Sequence, residues 1–458
     1  MMNFYSFLIR NILFPIEERV EKTGILKALK MLEKSQYWPE EMMIKWQLEK
    51  LREILRHAYK NTVFYNRKFK DIGFEPDDFK DFSDLFKLPI LTKRDLKDHQ
   101  KDLIARNLLK EDIHESTTGG TTADYTIFYR DNRSLNFKLA STIRHDRWCG
   151  WNIGDKEAIV WPASIDFKGK LSWKMKLKNR MFDRKLRIFA GVLDDSNLQF
   201  ICKQLQDFKP ALIRGFPNPI SIIAEYINEK GHYKVRAKAI KSVGEPLTDS
   251  QRKLFESTFS GEVFNYYLSR ESGTIASECE EHDKMHISAE TLFLEFLNEG
   301  KPSRPGEPGN IVVTDLHNYG MPFIRYEIGD IGIPSNAKCA CGRTLPLMEM
   351  TAGRESDFLI SPHDGSKIMG LSLLVPFVEN PKVGQLQIIQ DKPNHIIVKL
   401  SKNEGFQEES LSLFKKTVNN IFHNKMLVSF EYVEKIFHEK SGKYRFVIRK
   451  DFSDASNQ

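Results

Sequence analysis

Glu157-Ala158-Ile159-Val160-Trp161, Ala211-Leu212-Ile213 and Ile311-Val312-Val313 are short apolar runs separated by helical stretches and Gly/Pro turns. From about Ile113 to Thr351 this alternation predicts an α/β arrangement with at least partly parallel strands. Upstream, Pro39 to about Tyr59 reads as an amphipathic helix. Pro39, Glu40 and Glu41 suit its first turn, and Leu48, Leu51, Leu55 and Ala58 fall on one face. Downstream of Gly353 the pattern changes. Leu386 and Ile388, then Ile396, Val398 and Leu400, then Val428, Phe430 and Tyr432 alternate with polar neighbours, while Leu411, Phe414, Val418 and Ile421 recur at helical spacing. Strand, strand, helix, strand is a small α+β module. The expected fold is therefore α/β: a large multi-sheet N-terminal domain, residues 1–352, and a small mobile α+β C-terminal domain, residues 353–458.

At 458 residues the chain exceeds one compact core, and 41% hydrophobic with 29% charged residues excludes wholesale disorder. No apolar run approaches the ~20 residues of a membrane-spanning helix. The N-terminal MMNFYSFLIRNILFPIEER lacks a basic leader and a small-residue cleavage site. It reads as a helix docked on the protein's own core, with peripheral membrane contact left open. Cys149, Cys202, Cys279, Cys339 and Cys341 are too sparse for a disulfide framework, which favours the cytoplasm. The net charge of +7 is uneven: from Lys168 to Arg187 nine Lys/Arg face one Asp. That segment is either a solvated basic stretch or a landing site for an anionic surface, glycan or phosphorylated cofactor. Without interleaved base-stacking aromatics, it does not indicate a nucleic acid partner.

Thr117-Thr118-Gly119-Gly120-Thr121-Thr122-Ala123 is a loop of hydroxyls and paired glycines. Its backbone N–H groups can crowd an anion and its hydroxyls add donors without adding charge, although plain turns share this composition. It has no lysine and is not the common P-loop. Asn265-Tyr266-Tyr267-Leu268-Ser269-Arg270-Glu271 follows the strand-like Glu262-Val263-Phe264. Tyrosines there can stack on a base, or simply fill the core, and the carboxylate can hold a metal. Phe323 to Asp330 and Gly353 to Asp357 are unremarkable singly.

Taken together and in order, these segments resemble the adenylate-forming superfamily, in its phenylacetate–CoA ligase-like branch, which includes capsular-polysaccharide-associated homologues. The likeness runs from about residue 40 to Val447. It implies that Thr118, Gly119, Gly120, Thr121 and Thr122 hold ATP phosphates and that Gly244, Glu245 and Pro246 form an adenine wall. Within Asn265–Glu271 it implies that Asn265, Tyr266 and Tyr267 contact the nucleotide, with a stacking tyrosine, and that Glu271 holds Mg²⁺. Asp330 would bind the ribose with Arg354 beside it, and Ser356-Asp357 would be the hinge. Lys443, in Ser441-Gly442-Lys443-Tyr444-Arg445, would be the catalytic lysine. The expected reaction activates a small-molecule carboxylic acid as its acyl-adenylate and passes the acyl group to coenzyme A, or else to an amine or hydroxyl. Leu268 and Ala123 stand where the family has glycines, Asp124-Tyr125 replaces a Lys-Pro-like pair, and the lysine motif lacks its preceding proline. A non-catalytic nucleotide-binding protein on the same fold is the competing reading.

Cys339-x-Cys341 and Cys279, with His282 and His286 close behind it, offer three thiols and an imidazole, a donor set for a closed tetrahedral Zn²⁺ site. Spacing alone leaves metal binding open. Related ligases carry a similar set, and the resemblance favours His286 as fourth ligand, in a structural site within a zinc-binding insertion spanning 279–341. A closed ligand set argues against a zinc hydrolase.

Overall fold

The computed structural model describes residues 4–117, 126–161, 182–190, 193, 195–354, 358–363, 367–369, 373, 383–402, 406, 408–434, 436 and 447–450. The chain forms two compact units, residues 1–328 with 332–349, and residues 329–331 with 350–458.

In the first unit an antiparallel hairpin, β1 (Ile113–Thr117) and β2 (Ile127–Asp131), precedes the main sheet. Five parallel strands follow: β3 (Glu157–Trp161), β4 (Lys185–Phe189), β5 (Leu212–Gly215), β6 (Ala239–Val243) and β7 (Glu262–Ser269), in the order β4-β3-β5-β6-β7. Parallel neighbours need crossovers, and the helices Asp195–Phe208, Pro217–Lys230 and Asp249–Phe259 supply those leading into β5, β6 and β7. Pro217 starts the second of these, where a missing N–H costs nothing. Thr248 and Gln251 form a capping box at the third. Ala158, Val160, Ile213, Ile240 and Val263 pack against Ile201, Ile220, Ile223 and Phe255 of these helices.

Charge covers the other face. Lys241 Nζ on β6 lies 2.8 Å from Asp146 of the helix Asn132–Trp148, and Arg214 on β5 lies 2.6 Å from Asp146 and 2.7 Å from Glu157. Lys241 is wholly buried, and two carboxylates beside two cations let these charges leave water together.

The sheet continues through β8 (Gly273–Glu278), β9 (Met285–Ile287), β10 (Leu292–Asn298), β11 (Lys301–Pro302), β12 (Gly309–Asp315), β13 (Tyr326–Ser335) and β14 (Leu347–Arg354). Beyond β7 the order is β8-β9-β14-β13-β12-β10-β11, 12 strands in all among the described residues. Residues 279–341 thus run through core strands of this sheet and do not form a separate insertion.

The expected amphipathic helix spans Glu40–Asn61, with Leu51, Leu55 and Ala58 in the core. At the N-terminus, the helix Phe4–Leu8 continues through a π turn, Ile9–Leu13, into the helix Phe14–Glu21. Ile9 docks on Ile25, Leu29, Ala140 and Ile143. No helix among the described residues is long and apolar enough to cross a membrane.

In the second unit, β15 (Phe358–Ile360) and β16 (Lys367–Met369) form a hairpin. β17 (Val383–Lys392), β18 (His395–Lys402), β19 (Leu427–Tyr432) and β20 (Val447–Arg449) form a sheet ordered β19-β18-β17-β20. The helix Glu409–Ile421 buries Phe414 and Val418 among Leu386, Ile388, Ile396, Val398 and Leu400. Each of those two side chains contributes roughly 1.5–3 kcal/mol.

Candidate functional site

Ligands of open α/β sheets sit beyond the carboxyl ends of parallel strands. Here β6 and β7 are neighbours with Val243 opposite Tyr266, so Gly244-Glu245-Pro246 leaves the sheet beside Tyr267, while β7 runs on against β8 to the turn that carries Glu271. Gly244 has φ +79°, and a Cβ there would lie 2.7 Å from the Phe216 ring. Only glycine lets the chain turn outward so close to that ring.

Adjacent residues of a strand face opposite ways, which separates the two tyrosines. Tyr266 is 2% exposed, packed with Phe216 and Val243. Its ring lies 4.2 Å from Lys241 Nζ, and its hydroxyl bonds the Thr274 hydroxyl. It is a core residue. Tyr267 is half-buried on the opposite face, next to a register irregularity between Tyr267 and Leu268, the kind of bulge that re-aims a side chain. Asn265 donates its backbone N–H to Glu278, 2.9 Å away.

Glu271 occupies the turn from β7 to β8, and its carboxylate makes no ion pair among the described residues. Lys138 fixes that turn: its ammonium donates to the Glu271 carbonyl at 2.6 Å and lies 2.9 Å from Asp315. Gly273, at φ +74°, lets the Lys138 stem pass; a Cβ would sit 3.1 Å from it. Burial pushes Lys138 down to about 8, with Asp315 pulling the other way. Arg130 of β2, within electrostatic reach of Asp315 and Glu271, donates to the Ser116 hydroxyl at 3.4 Å. Ser116 adjoins Thr117, the last residue of β1, and Asp131 clamps the hairpin by accepting from the N–H groups of Tyr319, Gly320 and Ser134. The hairpin that brackets the hydroxyl-rich loop and the turn that carries Glu271 therefore share a charged cluster of Arg130, Lys138, Asp315 and Glu271. Lys138 and Asp315 carry no sequence signal of their own. Lys138 is one lysine on a helix and Asp315 one carboxylate after an apolar run.

Thr118 to Thr122, Ser356-Asp357 and Lys443 lie outside the described residues. Arg354 ends β14, and Asp330, half-buried in β13, belongs to the second unit.

The cysteines converge through strand register. Cys279 follows β8; β9 pairs with β8, placing His286 opposite Ser277; β14 pairs with β9, placing Leu347 opposite His286. The loop carrying Cys339 and Cys341 must therefore enter β14 beside Cys279. Cys279 Sγ lies 3.5 Å from Cys339 Sγ, Cys341 Sγ lies 3.4 Å from His286 Nε2, and all four donors fall within 4.8 Å of one another. A tetrahedron with zinc–ligand bonds of about 2.0–2.3 Å has edges of roughly 3.5–3.8 Å, so the donors fit. Burial and the Arg343 guanidinium hold His286 down to about 4, leaving a neutral imidazole with a lone pair to offer. Burial pushes Cys341 up, but hydrogen bonds from Arg343 bring it below the usual thiol range. His282 is turned away: it sits at φ +51°, its Nδ1 is 3.3 Å from Glu278 and its ring lies against Phe264. Arg343 also reaches Glu280 at 2.9 Å and Gln36 at 3.2 Å, tying the cysteine loop to the N-terminal helices.

Residues 359–450 match the model of the CapK C-terminal domain. Over 408 residues the chain is 26% identical to Protein CapK of Staphylococcus aureus, covering 88% of each. Over 326 residues it is 28% identical to phenylacetate-coenzyme A ligase of Escherichia coli (strain K12), covering 69% of this chain and 71% of that one. The structure of 2-hydroxyisobutyryl-CoA ligase in its postadenylation state superposes with a TM-score of 0.72 at 20% identity, covering 90% of this chain and 91% of that one. The chain is thus similar over most of its length to CapK and to phenylacetate–CoA ligases, and shares its fold with 2-hydroxyisobutyryl-CoA ligase.

Proposed function

We propose that this protein is an AMP-forming carboxylate ligase, which uses ATP and Mg²⁺ to convert a carboxylic acid to its acyl-adenylate and then transfers the acyl group to coenzyme A. The observation that carries the reading is the meeting of Gly244–Pro246, Tyr267 and the Glu271 turn at the carboxyl ends of β6 and β7, in a chain whose homologues include phenylacetate–CoA ligases. Adenine lies between the Gly244 wall and Tyr267, while Tyr266 supports that platform from the core. Thr118 to Thr122 receive the phosphates, Asp330 and Arg354 the ribose. Attack of a carboxylate on the α-phosphate brings two anions together, so positive charge must be supplied where negative charge accumulates. Lys443 delivers it as a mobile point charge on a flexible stem. Glu271 offers a carboxylate to Mg²⁺, an ion that takes one or two such ligands beside substrate phosphates and, when bound, supplies further positive charge. Lys138 and Asp315 act by positioning the Glu271 turn. No general base is needed, because the acid is ionised near neutral pH.

Cys279, His286, Cys339 and Cys341 hold a structural Zn²⁺, since four protein donors leave no open position. The protein works in the cytoplasm, where its cysteines stay reduced.

Pyrophosphate release, followed across a panel of carboxylic acids with and without coenzyme A, tests the reading. Acid-dependent release with thioester formation is expected. Release without a thioester would redirect the second step to an amine or hydroxyl. Tight nucleotide binding with no release for any acid would leave a binding protein on a ligase fold.

A further inference from the structure

A cleft of about 620 Å³ opens at the amino ends of β3, β5 and β6, the opposite edge from Gly244–Pro246 at the carboxyl end of β6. Arg10, Arg147, Lys156, Arg184, Lys209 and Lys238 line it, with Asp155 as the carboxylate among the lining residues. Arg147 is neutralised by Glu33. Among the described residues no ion pair joins the other five to a carboxylate. Burial and the charges of Arg184 and Lys209 press Lys156 below the usual lysine range, as expected of cations gathered without counter-ions.

The N-terminal helix forms one wall. Ser6 and Arg10 face the cleft, and Gly154 admits the helix closely, since a Cβ there would come 2.7 Å from the Ser6 carbonyl. Arg184 donates to the Ser6 hydroxyl at 2.9 Å and lies over the Tyr5 ring. The helix's other side is apolar and exposed: Phe4 79%, Phe7 41%, Ile12 46%, Ile16 53% and Val20 75%. The π turn at Ile9–Leu13 adds a residue to one helical turn, which rotates Ile12, Ile16 and Val20 back toward the side of Phe4 and Phe7. An apolar helix face bordering uncompensated cations is the pattern of an interfacial membrane anchor, whose greasy side enters the acyl boundary while the cations meet lipid phosphates.

We propose that the N-terminal helix and the cleft beside it form a docking surface for an anionic lipid bilayer. The occupant is a membrane because the two features share Ser6 and Arg10. A soluble anion would use the cleft and leave the apolar face uncovered. A second copy of the chain, itself carrying these cations, would bring like charges together. The surface lies at the opposite strand ends from Gly244–Pro246 and does not depend on the ligase reading.

Co-sedimentation of the full-length protein with vesicles of phosphatidylcholine, alone or mixed with phosphatidylglycerol, tests the proposal. Binding is expected to the mixed vesicles and to fall as salt is raised. The pair Lys209→Glu and Lys238→Glu should weaken it roughly tenfold or more. Phe7→Ser with Ile16→Ser should also release the protein while leaving its melting temperature unchanged. If the charge variants fold poorly, the salt titration of the unaltered protein decides. Absence of binding to mixed vesicles overturns the proposal, as does equal, salt-insensitive binding to both vesicle types. So does a dimer, seen by light scattering, that the Phe7→Ser and Ile16→Ser changes dissociate, or thermal protection by inorganic pyrophosphate without vesicle binding.

Discussion

The two ends of the same parallel strands carry opposite chemistry. At the carboxyl ends, Lys138 pairs with Asp315 and donates to the Glu271 carbonyl, and Arg130 lies within electrostatic reach of both carboxylates. At the amino ends, Arg10, Lys156, Lys209 and Lys238 have no carboxylate partner among the described residues, and they border an apolar helix. Between them Lys241, Arg214, Asp146 and Glu157 neutralise one another inside the fold. On the proposed reading, positive charge by itself does not mark the reactive edge: Lys138 there is fixed by a carboxylate and a carbonyl, whereas the cations of the proposed docking edge have no carboxylate partner among the described residues.

The strongest tests concern the proposed chemistry. Lys443→Ala should abolish adenylate formation while ATP binding stays within about tenfold of wild type, because its charge is used mainly in the transition state. Glu271→Gln should cost on the order of 100-fold in turnover at unchanged stability. Acid-dependent pyrophosphate release at wild-type rate in either variant would remove that residue from the mechanism. Vesicle binding should be the same in both.

Next comes the divider. Lys241→Met leaves Asp146 buried with Arg214 alone and should destabilise the protein by about 3–5 kcal/mol in urea unfolding. The Asp146 carboxyl, raised by burial but lowered further by Arg214 and Lys241, lies below its ordinary value. Such a group stabilises the fold above its unfolded pKa, and that contribution disappears as pH falls through the folded one. Lys241→Met should therefore flatten the acid limb of the stability profile. An unchanged acid limb would mean the network is not what separates the two ends.

A smaller effect is expected from the cysteine cluster, which lies at neither end. Cys339→Ser should lower zinc content by elemental analysis and the melting temperature by several degrees, with activity following stability. Zinc-free protein that is fully stable would end the assignment. A chelator that stops turnover at once in folded protein would make the metal catalytic.

The finest test concerns Lys138. Its folded pKa of about 8 is below the unfolded value of about 10.4, so between these the unfolded chain binds more protons and stability rises with pH. That gain, about 3 kcal/mol if the whole shift is realised, should vanish in Lys138→Met when the two unfolding profiles are subtracted.

Much of this architecture is legible in the sequence, and the gaps have physical causes. Leu386–Ile388, Ile396–Leu400, the Leu411–Ile421 helix and Val428–Phe430 can be read from periodicity because each turns one apolar face to the core, whereas Tyr432, which continues the last alternation, is exposed. Alternation says that Tyr266 and Tyr267 point opposite ways. It does not say which one is buried, because Phe216, just beyond β5, and Val243 of β6 decide that. Lys138 is invisible among many lysines until Gly273 and Asp315 are folded against it. Nor does spacing distinguish His286 from His282: the β8–β9–β14 register places one ring among the thiols, and the Glu278 carboxylate draws the other aside.

That register has a genetic consequence. Surface loops ordinarily accept insertions and deletions more readily than the strands around them. The five residues between Cys341 and Leu347 are different, because Leu347 is pinned opposite His286 while Cys341 must reach the same imidazole. Their number works as a ruler. Many side chains in that interval could be exchanged, but losing one residue would pull a thiol out of reach or slide a strand. Natural variation along this stretch should therefore appear as changes of letter and seldom as changes of length.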